Sequence, residues 1–211
     1  VRSVPTVKLF RHGQVVDEFL GVQSEAQIRT LLDRHIERAS DKLASAAIAQ
    51  LEAGDSAQAL SLLQQALVDD PHNQRVVVTL AEVYMQLGDH EAAQALLKGL
   101  PLKVANEPAV SALLARLTFI SLAVKAPPLE VLEETVAQRP ADSAARYQLS
   151  ARYIARGEYE PALQQLLEIV RHDRAYDDDA GRKGLLKVFE ILGGGDALVS
   201  RYRGLMSAAL Y

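Results

Sequence analysis

The chain has 211 residues, 49% of them apolar and 5% aromatic, with no Cys and no Trp; 23 Lys and Arg against 27 Asp and Glu give a net charge of -4. The zero cysteine count excludes a disulfide framework, a thiolate metal site, an iron–sulfur cluster and a cysteine nucleophile from these residues. The mild acidity argues against broad nucleic-acid binding. Leu, Ala and Val must build the core, a mixture that suits packed helices. The longest apolar stretches are expected to fall short of the roughly 18 residues of a membrane span, and no secretory signal is visible. The chain opens on Val1, inside what reads as the start of a strand, so it is expected to be part of a longer protein.

The first 37 residues differ from the rest. Val4 to Phe10 is a β-rich run, Arg11-His12-Gly13-Gln14 reads as a turn, and Val15 to Leu20 reads as a second strand ended by Gly21. Together they predict a hairpin. Ser24 with Gln27 has the pattern of a capping box. Ile28, Leu31, Leu32 and Ile36 follow at helical spacing and can lie on the hairpin. A two-stranded hairpin with one helix is too small to stand alone.

From about Glu37 onward the pattern is helix, short turn, helix. Gly54-Asp55 and Gly88-Asp89 lie 34 residues apart. Five residues past Gly54, Gly88 and Gly157 stand Ala59, Ala93 and Ala162, while Tyr84 and Tyr153 precede their glycines by four. Small residues at the helix crossing, a large one in the neighbouring hole and Pro after the second helix form the tetratricopeptide pattern. Asn106 to Val124 and Leu129 to Gln138 fit a degenerate pair without the turn glycine. A terminal pair is expected at Ala180 to Leu192 and Asp196 to Leu210, broken by Gly193-Gly194-Gly195. No pair can bury its apolar face alone, so stacking is required.

Residues 1–37 resemble the C-terminal half of a thioredoxin domain, with Val4-Pro5-Thr6 similar to its cis-proline loop. That half, the repeats behind it and the run Gly195 to Arg203 with the terminal Ala209-Leu210-Tyr211 resemble the chaperedoxin family, the YbbN-type thioredoxin-related chaperones. The resemblance implies a cytoplasmic holdase that keeps unfolding clients soluble and passes them to the chaperonin GroEL–GroES or to DnaK. It departs from a complete member in lacking the half that would hold a Cys-x-x-Cys motif. By the same resemblance, Pro5 and the Val4 backbone would border a polypeptide-binding groove. The other reading of Pro5 is an ordinary trans proline that starts a strand.

Two further surfaces are candidates. First-helix positions that line the groove of such an array include Ala44, Ile48, Leu51, Val78, Met85, Tyr147, Ala151 and Ile154. They are mostly apolar. Arg75 is the lone cation in this register, and no Asn accompanies it, which argues against a clamp for a C-terminal carboxylate. An apolar groove with a soft Met suits varied hydrophobic segments; the competing reading is ordinary core. In the last helix, Leu198, Tyr202, Leu205 and Ala209 form a stripe that Met206, Leu210 and Tyr211 widen. It either docks on a chaperonin or caps the array. The five histidines show no metal spacing. Asp177-Asp178-Asp179 lacks the pattern of a calcium loop, and the triple glycine lacks the Lys and Ser/Thr of a phosphate loop.

The sequence therefore predicts a mainly α fold: a tetratricopeptide-like helical repeat array over residues 38–211, preceded at 1–37 by the C-terminal β-hairpin and helix of a thioredoxin fold. The expected function is that of an ATP-independent holdase or co-chaperone and not an enzyme, without cofactor, metal, nucleic acid or membrane. The alternatives are a thiol-disulfide oxidoreductase whose repeats recruit substrates, and a scaffold for one folded partner.

Overall fold

The computed structural model describes residues 5–35 and 38–210. The chain divides into two compact units, residues 1–76 and 77–211. The boundary expected after residue 37 falls on Ile36 and Glu37, outside the described residues.

In the first unit, β1 (Thr6–Arg11) and β2 (Gln14–Leu20) pair antiparallel. His12 and Gly13 make the two-residue turn with φ of 50° and 80°, the left-handed pair that matches the twist of the flanking strands. A register shift between Leu9 and Phe10 leaves Val16 without an opposite residue. Lys8 and Glu18 pair across the strands at 3.5 Å. Helix α1 (Glu25–His35) starts at a true capping box: Ser24 N–H donates to Gln27 Oε1 at 2.9 Å, and Gln27 N–H to Ser24 Oγ at 3.4 Å. Its other end is tied to β2 by His35 Nε2 and Asp17 Oδ2, 3.0 Å apart. Phe10 and Leu20 remain 61% and 62% exposed on the hairpin. The described residues of this segment form a small two-stranded sheet and one helix.

Helices α2 (Ala39–Glu52) and α3 (Ser56–Asp69) follow, and α4 (Gln74–Gln86) runs across the division between units. The second unit continues with α5 (His90–Lys98), the short α6 (Leu102–Ala105), α7 (Pro108–Lys125), α8 (Leu129–Gln138), α9 (Ser143–Ala155), α10 (Tyr159–His172), α11 (Ala180–Leu192) and α12 (Ala197–Leu210). Helix α7 begins two residues later than its sequence pattern suggests, because Pro108 takes the first helical position, where its missing N–H costs nothing.

The turn glycines work as one motif. Gly54, Gly88 and Gly157 have φ of 88°, 81° and 77°. In each turn the following residue reaches back to close the helix: Asp55 N–H to Gln50 O at 2.8 Å, Asp89 to Tyr84 at 2.9 Å, Glu158 to Tyr153 at 2.9 Å. This is the Schellman closure, which needs a left-handed residue at that place. Asp55 and Asp89 then cap the next helix by accepting from Gln58 and Ala92 N–H. The small residues behind the turns, Ala59, Ala93 and Ala162, are wholly buried.

The terminal pair departs from a simple continuation of the array. Helix α11 packs against both α10 and α7. A Cβ on Gly181 would stand 2.9 Å from Ile169 Cγ2 and 3.2 Å from the Leu166 carbonyl, so only glycine allows this approach. Ser111 Oγ donates to Glu190 Oε2 at 2.8 Å and ties α7 to the far end of α11. One core then joins Phe119 of α7, Ala151 and Ile154 of α9, Leu163 and Leu166 of α10, Leu185 and Val188 of α11, and Val199 and Tyr202 of α12. Helix α7 also corrects an expectation. At 18 residues it is long and apolar enough to cross a membrane, but it packs against α5, α9 and α11, with Val110, Leu117 and Phe119 among its buried side chains.

Gly181→Ala should lower the unfolding free energy by about 1–3 kcal/mol, the usual cost of overfilling a packed contact. Gly195→Ala, which meets nothing within 4 Å, should cost no more than a few tenths. Urea unfolding followed by circular dichroism checks both; equal losses would show that the α10–α11 approach does not depend on the missing side chain.

Candidate protein-binding cleft

The structure sorts the expected contact residues into different environments. Ala44 is buried in α2, Ile48 on the same helix is 42% exposed, and Leu51 is half-buried. Val78 and Met85 are half-buried against a small core of Ala81, Ala93, Leu97, Val104, Val110 and Leu117. Ala151 and Ile154 are completely buried, and Tyr147 is half-buried between the rings of Phe119 at 6.3 Å and Tyr176 at 6.2 Å. In the second unit, then, the α9 positions are core, because the helices around α9, including α11, cover them. Of the residues expected to line a groove, Met85 borders a cleft.

The terminal stripe is also committed to packing. Tyr202 is 4% exposed, and Leu198, Leu205, Met206, Ala209 and Leu210 lie half-buried against the same core. Tyr211 and Val4 lie outside the described residues. Pro5 is exposed, with its carbonyl accepting from Gly21 N–H at 2.8 Å, and Thr6 begins β1.

The polar first-helix positions are likewise occupied. Asp41 is held by Asn73 Nδ2 at 2.7 Å, the Arg38 amide at 3.0 Å and Arg75 Nη1 at 3.1 Å. Burial alone would raise its carboxyl, but these donors and the Arg75 and Arg38 charges hold it below its ordinary value. Asn73, 3% exposed, also donates to Ser40 Oγ at 2.9 Å, and Ser40 donates to Asp70 at 3.4 Å. The same device recurs in the second unit, where Ser143 donates to Asp173 at 2.7 Å. Both serines bond an aspartate 30 residues later, at the exit of a second helix.

One open feature of the second unit is a cleft of about 350 Å³ bordered by α4, α5, α7 and α9. Its floor is Met85, Ile120, Ala123, Val124 and Ala155, and its polar members are His90, Arg116 and Arg152. Arg116, Ile120, Ala123 and Val124 share one face of α7 by their i, i+4, i+7, i+8 spacing. Val124 is 72% exposed. Arg152 is fixed: its Nε donates to Pro127 O at 2.9 Å and its Nη2 to Ala126 O. His90 has a buried Nδ1 without a hydrogen-bond partner. The cleft is missing from the sequence register because α7 belongs to the degenerate pair, whose inward positions no turn glycine marks. A second cleft, of about 470 Å³, lies between the start of α7 and the end of α11. Several of its polar groups already serve each other or a ring: Glu190 accepts from Ser111, and Arg203 stacks 5.6 Å from Phe189. Two of the acidic triplet pair at the start of α11, Asp178 with Lys183 and Asp179 with Arg182. Among the described residues, no three His, Cys, Asp or Glu side chains cluster to hold a metal.

Two family models match the chain, both tetratricopeptide repeats, one over residues 50–117 and the other over 122–211. An uncharacterized protein of Haemophilus influenzae is 25% identical over 212 residues, covering all of this chain and 97% of that one. Among solved structures, a domain of protein VP0806 from Vibrio parahaemolyticus is 27% identical, with 81% of this chain and 99% of that one covered and a TM-score of 0.37. A thermophilic tetratricopeptide protein from Thermus thermophilus is 17% identical, with 82% and 99% covered and a TM-score of 0.40.

Two substitutions read the polar positions. Asp41→Asn should lower stability at pH 7 by about 1–3 kcal/mol by unbalancing a buried bonded carboxylate. Its folded pKa is depressed, so the contribution is lost as pH falls through that pKa, and the deficit should shrink in acid. Glu82 has the opposite sign: burial raises its carboxyl, so the folded state prefers it protonated and loses stability as pH rises through the raised value. Glu82→Gln should therefore stabilise at pH 7 and lose that advantage near pH 3.5. Urea unfolding at the two pH values checks both.

Proposed function

We propose that this tetratricopeptide-like repeat array binds protein segments, and that those segments are unfolded or partly folded clients held without ATP. The tetratricopeptide matches support a protein-interaction role in general. What carries the finer reading is the cleft, whose floor is aliphatic with one flexible thioether, Met85. Such a surface adapts to different apolar side chains. The hairpin adds exposed Phe10, Leu20 and Val15, and the sequence offers no phosphate loop that would tie binding to a nucleotide. Resemblance to the chaperedoxins extends the reading to delivery of clients to GroEL–GroES or DnaK in the cytoplasm; the α12 stripe, folded onto the core, does not support that step. The thiol-disulfide alternative has no cysteine among these residues to act through.

At an equimolar ratio and without ATP, the protein should suppress the aggregation of heat-unfolded citrate synthase measured by light scattering. Val124→Asp, a change at an exposed position, should leave the fold intact by circular dichroism and remove at least about half of the suppression. Unchanged client aggregation with the wild-type protein would sink the holdase reading.

A further inference from the structure

The cleft carries a sign as well as an apolar floor. Several arginines of the described chain stand beside a carboxylate: Arg38 by Asp70 at 2.8 Å, Arg75 by Asp41 at 3.1 Å, Arg139 by Asp142 at 3.3 Å, Arg171 by Glu168 at 2.7 Å, Arg201 by Glu160 at 2.6 Å. The two at the cleft do not. Arg152 bonds only carbonyl oxygens. Arg116 has no hydrogen-bond or ion-pair partner among the described residues, and no carboxylate borders the cleft. Two guanidinium groups thus flank an apolar floor with their charge uncompensated, in a chain whose net charge is -4. Arg116 sits one helical turn from Ile120 and two from Val124, so a cation and an aliphatic pocket lie along one line of α7. A ligand that satisfies both must place a carboxylate and an apolar side chain a few residues apart on an extended strand.

Resting on the client-binding reading above, we infer that the cleft selects extended partner segments in which Asp or Glu stands two residues from a large apolar residue, so that both side chains face the cleft. The side-chain carboxylate pairs with Arg116 at the rim and faces the Arg152 charge, while the apolar side chain lies on Met85, Ile120 and Val124. Selection of this kind sets which segments are held, because charge matched at a rim adds specificity and encounter rate more than affinity. Arg152 also anchors the turn after α7, so Arg116 is the residue whose removal tests the charge alone.

The probe is a short fluorescein-labelled peptide blocked at both ends, with two Glu each standing two residues from Leu or Phe, titrated against the full chain by fluorescence anisotropy at low salt. Its Glu→Gln analogue should bind about tenfold more weakly. Arg116→Gln should weaken the acidic peptide about three- to fivefold, the size expected of a largely exposed ion pair, and should leave the Gln analogue unaffected. Arg171→Gln, on α10, should change neither. Raising the salt should erase the preference for Glu. Equal binding of the two peptides, or binding unchanged by Arg116→Gln, overturns the inference. So does a preference seen only when the Gln analogue carries a free C-terminal carboxylate, which would make the occupant a chain end. The citrate synthase assay keeps the two claims apart. Suppression that persists without any charge preference removes the charge inference and leaves client holding in place; loss of suppression in the wild type removes both.

Discussion

Helices in this chain come close because the side chain at each critical crossing is a methyl group or a hydrogen. Ala59, Ala93 and Ala162 stand five residues behind their turn glycines and are wholly buried, and Gly181 lets α11 reach the Ile169 side chain and the Leu166 carbonyl. A larger residue would separate the helices and open voids along the whole contact, since interiors pack at crystal-like density. The left-handed turn glycines depend on the same constraint from the other side. They reverse the chain within a few residues, so the two helices of a pair start close and can meet only at a small residue.

That constraint also decides what remains open. Because α11 packs on α7 and α10, Ala151 and Ile154 lie in the same core as Leu185 and Val188, and α9 offers no groove where a straight array would have one. The contact uses the part of α7 around Phe119 and, near its start, Ser111. The face bearing Arg116, Ile120 and Val124 borders the cleft instead. One long helix thus serves as both core and wall, which explains why its composition reads as apolar throughout while one face carries an exposed cation.

The element order was legible because it depends on local chemistry: Ser24 and Gln27 cap α1, and the bounds of α8 and α11 follow from flanking Pro, Asp and Gly. The site was less legible because it depends on packing between elements distant in sequence. A repeat register places Ala151 and Ile154 on an inner face, but it cannot show how closely α11 will pack on α10, since that requires reading Gly181 as a contact rather than as a weak helix residue. The terminal stripe illustrates the same ambiguity. An apolar face from Leu198 to Leu210 is identical in sequence whether its cover is a partner or α10, and the structure supplies α10. His90, Arg116 and Arg152 carried no signal singly; spacing along α7 was the trace that linked Arg116 to Ile120 and Val124.

Arg152 joins these two levels. The last carbonyls of a helix lack intrahelical donors; Arg152 donates to that of Ala126, the residue that ends α7, and to that of Pro127 just beyond it, bringing a cation to the negative end of the α7 dipole. The anchor that fixes the turn into α8 is therefore also the charge at the cleft, and the small core of Leu129, Leu132, Ala145 and Leu149 lies directly behind it. A ligand carboxylate approaching Arg152 competes with those carbonyls for the same guanidinium edge. Because Arg116 has no such prior commitment, it is the group that can accept an anion without loosening the fold. The division of labour follows from geometry: one arginine holds the wall in place and lends it positive potential, and the other stands uncommitted at the rim. A bound anion adds stability to the native state by mass action, and that stability enters through α7 and α9, the helices that carry most of this unit's contacts with their neighbours.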